Sequence, residues 1–313
     1  MKWPIMTGEL SLRTPRSLSF YLINATIREW STCDQVTFKT ASMADSRQLI
    51  YVDTSYGRLS VRSMGSGDLT PLLLIHGNSS SSLIFRPITE SKIPSARRVL
   101  ALDLPGHGES SNAKDPEHTY TMPGYAKAAV EVLQQLKINE VVVLGWSLGG
   151  HIGVEMLPLF KGMKGLMIVG ALLVALRDSP LNDERTKWNM REDLSKEDLT
   201  MFAKGGTGGP YEDWMAEAAI RTDPKARRVL FTNLGFGDCS DQQKLVETTS
   251  VPTAVVIGSA EPHLDNSQIK SLKYGSLWGD KCVELEGCEH CPLWEKPAEF
   301  LPVLEKFLED IAS

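Results

Sequence analysis

The chain has 313 residues, 42% of them hydrophobic, and a formal charge of -6 at neutral pH. That length and apolar fraction fill one large domain or two small ones, and the acidic balance, with no basic stripe interleaved with aromatics, excludes a nucleic-acid partner. Five cysteines are too few for a disulfide framework in a chain this long, and no apolar run reaches the roughly 20 residues that span a bilayer. A reducing compartment, the cytoplasm first, and no transmembrane segment are the resulting expectations; the oligomeric state is left open.

Residues 1–44 differ from the rest. They are rich in Ser, Thr and Arg, and Glu9, Glu29 and Asp34 are their only acids. They read as an N-terminal extension: transit-like, which would target the chain to an organelle, an upstream segment preceding a start at Met43, or an amphipathic helix resting on the domain.

From Leu49 the pattern becomes regular. Residues 49–53 and 59–64 alternate as strands of an antiparallel hairpin that turns at Tyr56-Gly57. Residues 71–75, 98–102, 141–144, 166–169, 253–257 and 281–285 are short, mostly continuous apolar runs, as expected of parallel strands covered on both faces. Helix-length segments lie between or after them at 122–136, 148–160 and 298–311. The alternation predicts an α/β fold, a doubly wound sheet with right-handed crossovers.

One connection breaks the rhythm. About 80 residues separate Val169 from Thr253, far more than a usual loop. Helical stretches at 195–203 and 211–221, with the break Gly205-Gly206-Thr207-Gly208-Gly209-Pro210 between them, predict a helical cap over 171–250. It is inserted into a core made of 45–170 and 251–313.

The chemistry starts at Gly145-Trp146-Ser147-Leu148-Gly149-Gly150, directly after the run 141–144. This matches G-x-S-x-G, in which a sharp strand-to-helix turn strains the serine backbone and lifts its hydroxyl clear of the sheet. A serine hydroxyl attacks a carbonyl only with a base in reach and a carboxylate to orient that base. In doubly wound sheets such partners collect at the carboxyl ends of strands. Glu261 and Asp265 follow the run 253–257, and His290 follows 281–285, giving the order nucleophile, acid, base. Cys288-Glu289-His290-Cys291 has a metal-like look, but no second Cys or His pair stands at ligand spacing, so no metal is expected.

Four motifs together resemble the α/β-hydrolase superfamily, specifically its capped serine hydrolases of esterase and lipase type, over roughly residues 49–311. They are Leu74-Ile75-His76-Gly77, Asp103-Leu104-Pro105-Gly106-His107-Gly108-Glu109-Ser110, the elbow at Ser147, and His290 followed by Pro292 and Glu295-Lys296-Pro297. The resemblance implies an α/β-hydrolase fold, with a mostly parallel sheet of about eight strands and an inserted helical cap. It implies a catalytic Ser147, Glu261 and His290, an oxyanion hole from the backbone N–H groups of Asn78 and Leu148, and structural roles for His76 and Asp103. The usual acid of the family is Asp; here its slot holds Glu261, with Asp265 as the alternative and Asp178 a distant third.

The implied reaction is hydrolysis of an ester, thioester or related acyl bond of a small, moderately apolar molecule through an acyl-enzyme, without metal or cofactor. Carbon–carbon bond hydrolysis, a lyase or perhydrolase reaction at the same triad, and a slow-turnover small-molecule receptor are its rivals. Serine at the elbow argues against the dehalogenase and epoxide-hydrolase branches. Trp188, Met190, Phe202 and Trp214 are the apolar candidates that the cap offers to a pocket.

Overall fold

The structure is a computed structural model that describes residues 48–173, 189–236 and 239–312; the segment 1–44, Asp178 and Trp188 lie outside the described residues. Strands β1 (Gln48–Thr54), β2 (Gly57–Ile75), β3 (Arg97–Leu102), β4 (Val141–Trp146), β5 (Met163–Val169), β6 (Thr253–Gly258) and β7 (Val283–Leu285) form one sheet. β1 and β2 make the expected antiparallel hairpin, with Val52 opposite Leu59.

The second strand takes two places in the sheet. In its first arm Val61 lies opposite Leu102 and Met64 opposite Val99, so the register runs against β3; in its second arm Leu72 lies opposite Val99 and Ile75 opposite Leu102, so it runs with β3. The chain folds back between the arms at Gly65-Ser66-Gly67, and β3 is held between them. Seven strands therefore fill eight positions, which reconciles them with the expected sheet of about eight strands. β4, β5, β6 and β7 then add in parallel beside the second arm.

The alternation of side chains across the pleat explains why these strands read as unbroken apolar runs. Leu73, Ile75, Val143 and Ile168 face one buried cluster, with helices α1 (Met122–Gln135) and α2 (Leu148–Met156) packed on it. Leu72, Leu74, Leu144 and Met167 face the other, filled by Phe300, Leu304 and Phe307 of the C-terminal helix (Pro297–Ala312). Both faces are covered, as a parallel sheet requires. α2 ends at Met156, short of the expected 160, because Pro158 has no N–H to continue the ladder.

Between β5 and β6 the described residues form α3 (Lys196–Gly206), α4 (Asp213–Arg221), α5 (Pro224–Phe236) and α6 (Gln242–Thr248). Ser195 and Asp198 start α3 with a reciprocal capping box. The sequence pattern misses α5 because its charged face is partly turned inward: Arg227 is 1% exposed. Polar contacts fasten the segments between these helices to the loop after β3 and to α2. Asp223 N–H donates to Gly106 O (2.8 Å), Tyr120 Oη donates to Asp223 Oδ2 (2.7 Å), and Ser240 Oγ donates to Glu155 Oε2 (2.7 Å). No helix among the described residues is long and apolar enough to cross a membrane.

Phe307 is fully buried far along the last helix, on the sheet face opposite α1 and α2. Phe307→Ala should cost about 3–5 kcal/mol in urea unfolding and leave the turnover of the folded fraction unchanged.

Candidate functional site

The site is built at the carboxyl ends of β4, β6 and β7. Ser147 sits between β4 and α2 with φ 53° and ψ -118°, a conformation that costs a non-glycine residue about 1–3 kcal/mol. The surroundings hold it there. Ser147 N–H donates to Val169 O (2.8 Å), and Gly150 N–H donates back to Ser147 O (2.8 Å). The two flanking glycines are required by space: a Cβ on Gly145 would lie 2.0 Å from Gly149 O, and one on Gly149 would lie 1.9 Å from Ile75 O.

His290 enters from the turn after β7 and Glu261 from the loop after β6. His290 Nε2 lies 3.0 Å from Ser147 Oγ, and His290 Nδ1 lies 2.7 Å from Glu261 Oε2. With Glu261 ionised, Nδ1–H donates to the carboxylate and Nε2 is left to accept the serine proton. The Glu261 side chain is 1% exposed and that of His290 is 8% exposed, so the relay is shielded from water. Burial alone would raise the Glu261 carboxyl, but the hydrogen bond and charge of His290, with the N–H of His263 on Oε1 (2.8 Å), hold it below its ordinary value.

Asp265 goes elsewhere. It is exposed and caps the short helix Asn266–Ser271, where its Oδ1 accepts from Ser267 N–H at 2.9 Å. The structure brings Glu261 to His290 and leaves Asp265 on that helix.

Asn78 and Leu148 border the serine. Leu148 opens α2, whose N-terminal end carries the positive pole of the helix. Gly77 packs so closely that a Cβ there would lie 3.2 Å from Ser147 Cβ, which sets the Asn78 peptide beside the nucleophile. His76 is fully buried; its Nδ1 bonds Gly77 O (2.7 Å) and its Nε2 accepts from Leu104 N–H (3.1 Å). Burial lowers its pKa and keeps the ring neutral, as this bridge between two loops requires. Asp103 accepts from Ser82 N–H (2.7 Å) and Glu109 N–H (3.0 Å), so both residues hold loops in place.

Cys288 and Cys291 are fully buried, and burial pushes the Cys288 thiol up to about 11 and the Cys291 thiol upward as well. They are packing thiols. Both ring nitrogens of the histidine between them are already engaged by Glu261 and Ser147.

A cavity of about 100 Å³ opens over Ser147 and His290, with Asn78, Phe202, Met215 and Phe231 in its wall. Asn189, Phe202 and Gly206 also line a neighbouring space of about 290 Å³ that includes Met201, Asp198 and His263. Of the four apolar candidates, Phe202 reaches the cavity; Trp214 instead packs edge-on against Trp294 (5.5 Å between centroids). The sequence pattern misses Met215 by one position, and Phe231 lies on α5, which gives no periodic signal. Trp146 anchors the histidine turn, because its Nε1–H donates to His290 O (2.9 Å).

Residues 72–303 match the model of the Alpha/beta hydrolase family. An N-acyl homoserine lactonase in complex with N-butanoyl homoserine superposes with a TM-score of 0.81 at 40% identity, covering 85% of this chain and 98% of that one. Proline iminopeptidase of Lactobacillus delbrueckii subsp. lactis is 34% identical over 271 residues, 77% of this chain and 90% of its own. Haloalkane dehalogenase of Psychrobacter cryohalolentis is 28% identical over 166 residues, so the match spans only 53% of that relative.

The two acids separate by mutation. Glu261→Gln should lower kcat by about 10³–10⁴-fold and Asp265→Asn should leave it within about twofold, as steady-state kinetics would show. The lowered Glu261 pKa also makes a stability contribution that is present above its unfolded value of 4.5 and is lost as pH falls through the folded one. The Tm difference between wild type and Glu261→Gln should therefore shrink in thermal melts taken below about pH 4.5.

Proposed function

The chain belongs to the alpha/beta hydrolase family, and from that premise we propose that it is a serine hydrolase of carboxylic esters, with N-acylated lactones as its substrate class. The observation that carries this reading is the line Ser147, His290, Glu261, at 3.0 and 2.7 Å, facing a cavity. Residues 171–250 act in it as the cap that closes the cavity over a core of 45–170 and 251–313.

In this mechanism His290 Nε2 takes the Ser147 proton as Oγ attacks the ester carbonyl. The N–H groups of Asn78 and Leu148 receive the developing oxyanion, each worth on the order of 3 kcal/mol to the tetrahedral intermediate. Glu261 stabilises the imidazolium, which returns its proton to the leaving alkoxide. Water, deprotonated by the same imidazole, then opens the acyl-enzyme and restores Ser147. In a lactone the alkoxide stays tethered to the acyl group, so a single hydroxy acid leaves the site.

Two features favour a neutral N-acyl lactone. Apart from His290, the described residues that line the cavity at Ser147 carry no ionisable side chain, which suits an uncharged ester better than the free ammonium of a prolyl peptide. The adjoining larger space gives room for an acyl tail beside a compact reacting ring. The lactonase at 40% identity supports the same class, and variants of it bearing one serine and one glutamate replacement hold N-hexanoyl homoserine lactone and N-hexanoyl homoserine respectively. Those replaced residue types are the ones found here in Ser147 and Glu261.

A fluorophosphonate should label Ser147 in the folded protein, and Ser147→Ala should lower turnover at least about 10⁴-fold. In a pH-stat panel of N-butanoyl and N-hexanoyl homoserine lactones, thioesters and prolyl anilides, the lactones should release acid fastest. Absence of labelling, or full turnover by Ser147→Ala, would refute the serine hydrolase; prolyl anilides turning over fastest would refute the substrate class.

A further inference from the structure

Resting on the serine-hydrolase reading, we propose that Glu295 is a positioning residue for His290, clamping the peptide N–H groups on both sides of it and tying them to the loop between α3 and α4. Glu295 Oε2 accepts from Glu289 N–H at 2.6 Å and Oε1 accepts from Cys291 N–H at 2.7 Å. One carboxylate thus spans the N–H groups of the two residues that flank the histidine. Charge-assisted bonds of this length are about twice as strong as neutral ones, and two of them fix the direction in which the His290 side chain leaves the turn.

Ordinary helix capping explains only half of this. Cys291 is the N-cap of the single turn Pro292–Glu295, and a glutamate near the start of a helix commonly reaches back to that N–H. Glu289 N–H lies outside the turn and needs no cap. Its bond makes the pair a clamp around residue 290.

The carboxylate is also covered. Gly208 and Gly209, with φ of +68° and +69°, lie so close that a Cβ on the first would sit 2.7 Å from Glu295 Cδ and one on the second 2.9 Å from Glu295 Cγ. The neighbouring Pro210 O accepts from Trp294 Nε1–H at 2.8 Å. The glycine run that reads as a flexible break is therefore a close-packed cover over the clamp. Through it, the seating of the helical insertion reaches the base of the triad. On the other side Trp146 holds His290 O, so the histidine is held at its own carbonyl and through the N–H groups of Glu289 and Cys291.

Burial, with the nearby charge of Glu289, holds the Glu295 carboxyl above its ordinary range, against the two N–H bonds that lower it.

The test uses Glu295→Gln, which keeps the shape but turns an amide N–H toward one donor, and Glu295→Asp, which keeps the charge but loses reach. Active sites are titrated with a fluorophosphonate, so that kcat is expressed per competent serine, with p-nitrophenyl acetate as substrate. The His290 Nδ1–H proton is followed by NMR. Both variants should lose about 10–100-fold in kcat with KM within about twofold, and the His290 proton should shift or broaden. Wild-type kcat per titrated site, or a loss of activity matched by loss of titratable sites with an unmoved His290 proton, would overturn the proposal. Should wild type itself fail to label, the hydrolase reading falls, while the His290 proton still reports on the clamp.

Discussion

Everything at this site depends on the near-contact of two backbones, that of Gly149 at the start of α2 and that of Ile75 at the end of β2. No side chain fits between them, since a Cβ on Gly149 would lie 1.9 Å from Ile75 O. The closeness forces a turn too sharp for ordinary dihedrals and leaves Ser147 at φ 53°. Strain of that kind persists only when the surroundings over-determine it, and here a buried strand on each side of β4 does so. The same closeness brings the His76-Gly77-Asn78 turn beside the serine. Ser147 and the amides proposed to hold the oxyanion are thus products of one packing constraint.

Charge is placed sparingly around that constraint. Behind the His290 ring stands the buried carboxylate of Glu261, while the cavity wall in front is apolar or neutral apart from the imidazole itself. In such a low-dielectric setting an ion pair between His290 and Glu261 would be worth more than in water, and a stray charge would cost correspondingly more. The extra methylene of glutamate is absorbed by the loop after β6, where His263 N–H holds the second carboxylate oxygen.

Much of this was legible in the sequence because each element obeys a local rule. The apolar runs marked strands buried on both faces, and the glycines around Ser147 marked a turn without space for side chains. The doubling of β2 showed only as two strand signals, 59–64 and 71–75; their pairing with β3 from opposite sides is a long-range fact that no local pattern encodes. α5 escaped because Arg227, with Nη1 3.4 Å from Ser79 Oγ, is turned into the protein and disturbs the apolar stripe. Glu261 stands ahead of Asp265 in the sequence only by filling the family's acid slot, because both follow the same strand; the path of the loop sends one inward and the other to a helix start. The segment 1–44 and Asp178 remain sequence expectations.

The segment between β5 and β6 touches three loops around the site: Asp223 binds Gly106 in the loop after β3, Arg227 reaches Ser79 next to Asn78, and Pro210 binds Trp294 four residues after His290. A cover joined only to distant scaffold would shape a pocket and nothing more. One joined to these loops would, on the proposed mechanism, also carry its own seating to the Asn78 amide and to His290, so that covering the cavity and aligning Ser147 with His290 would be coupled.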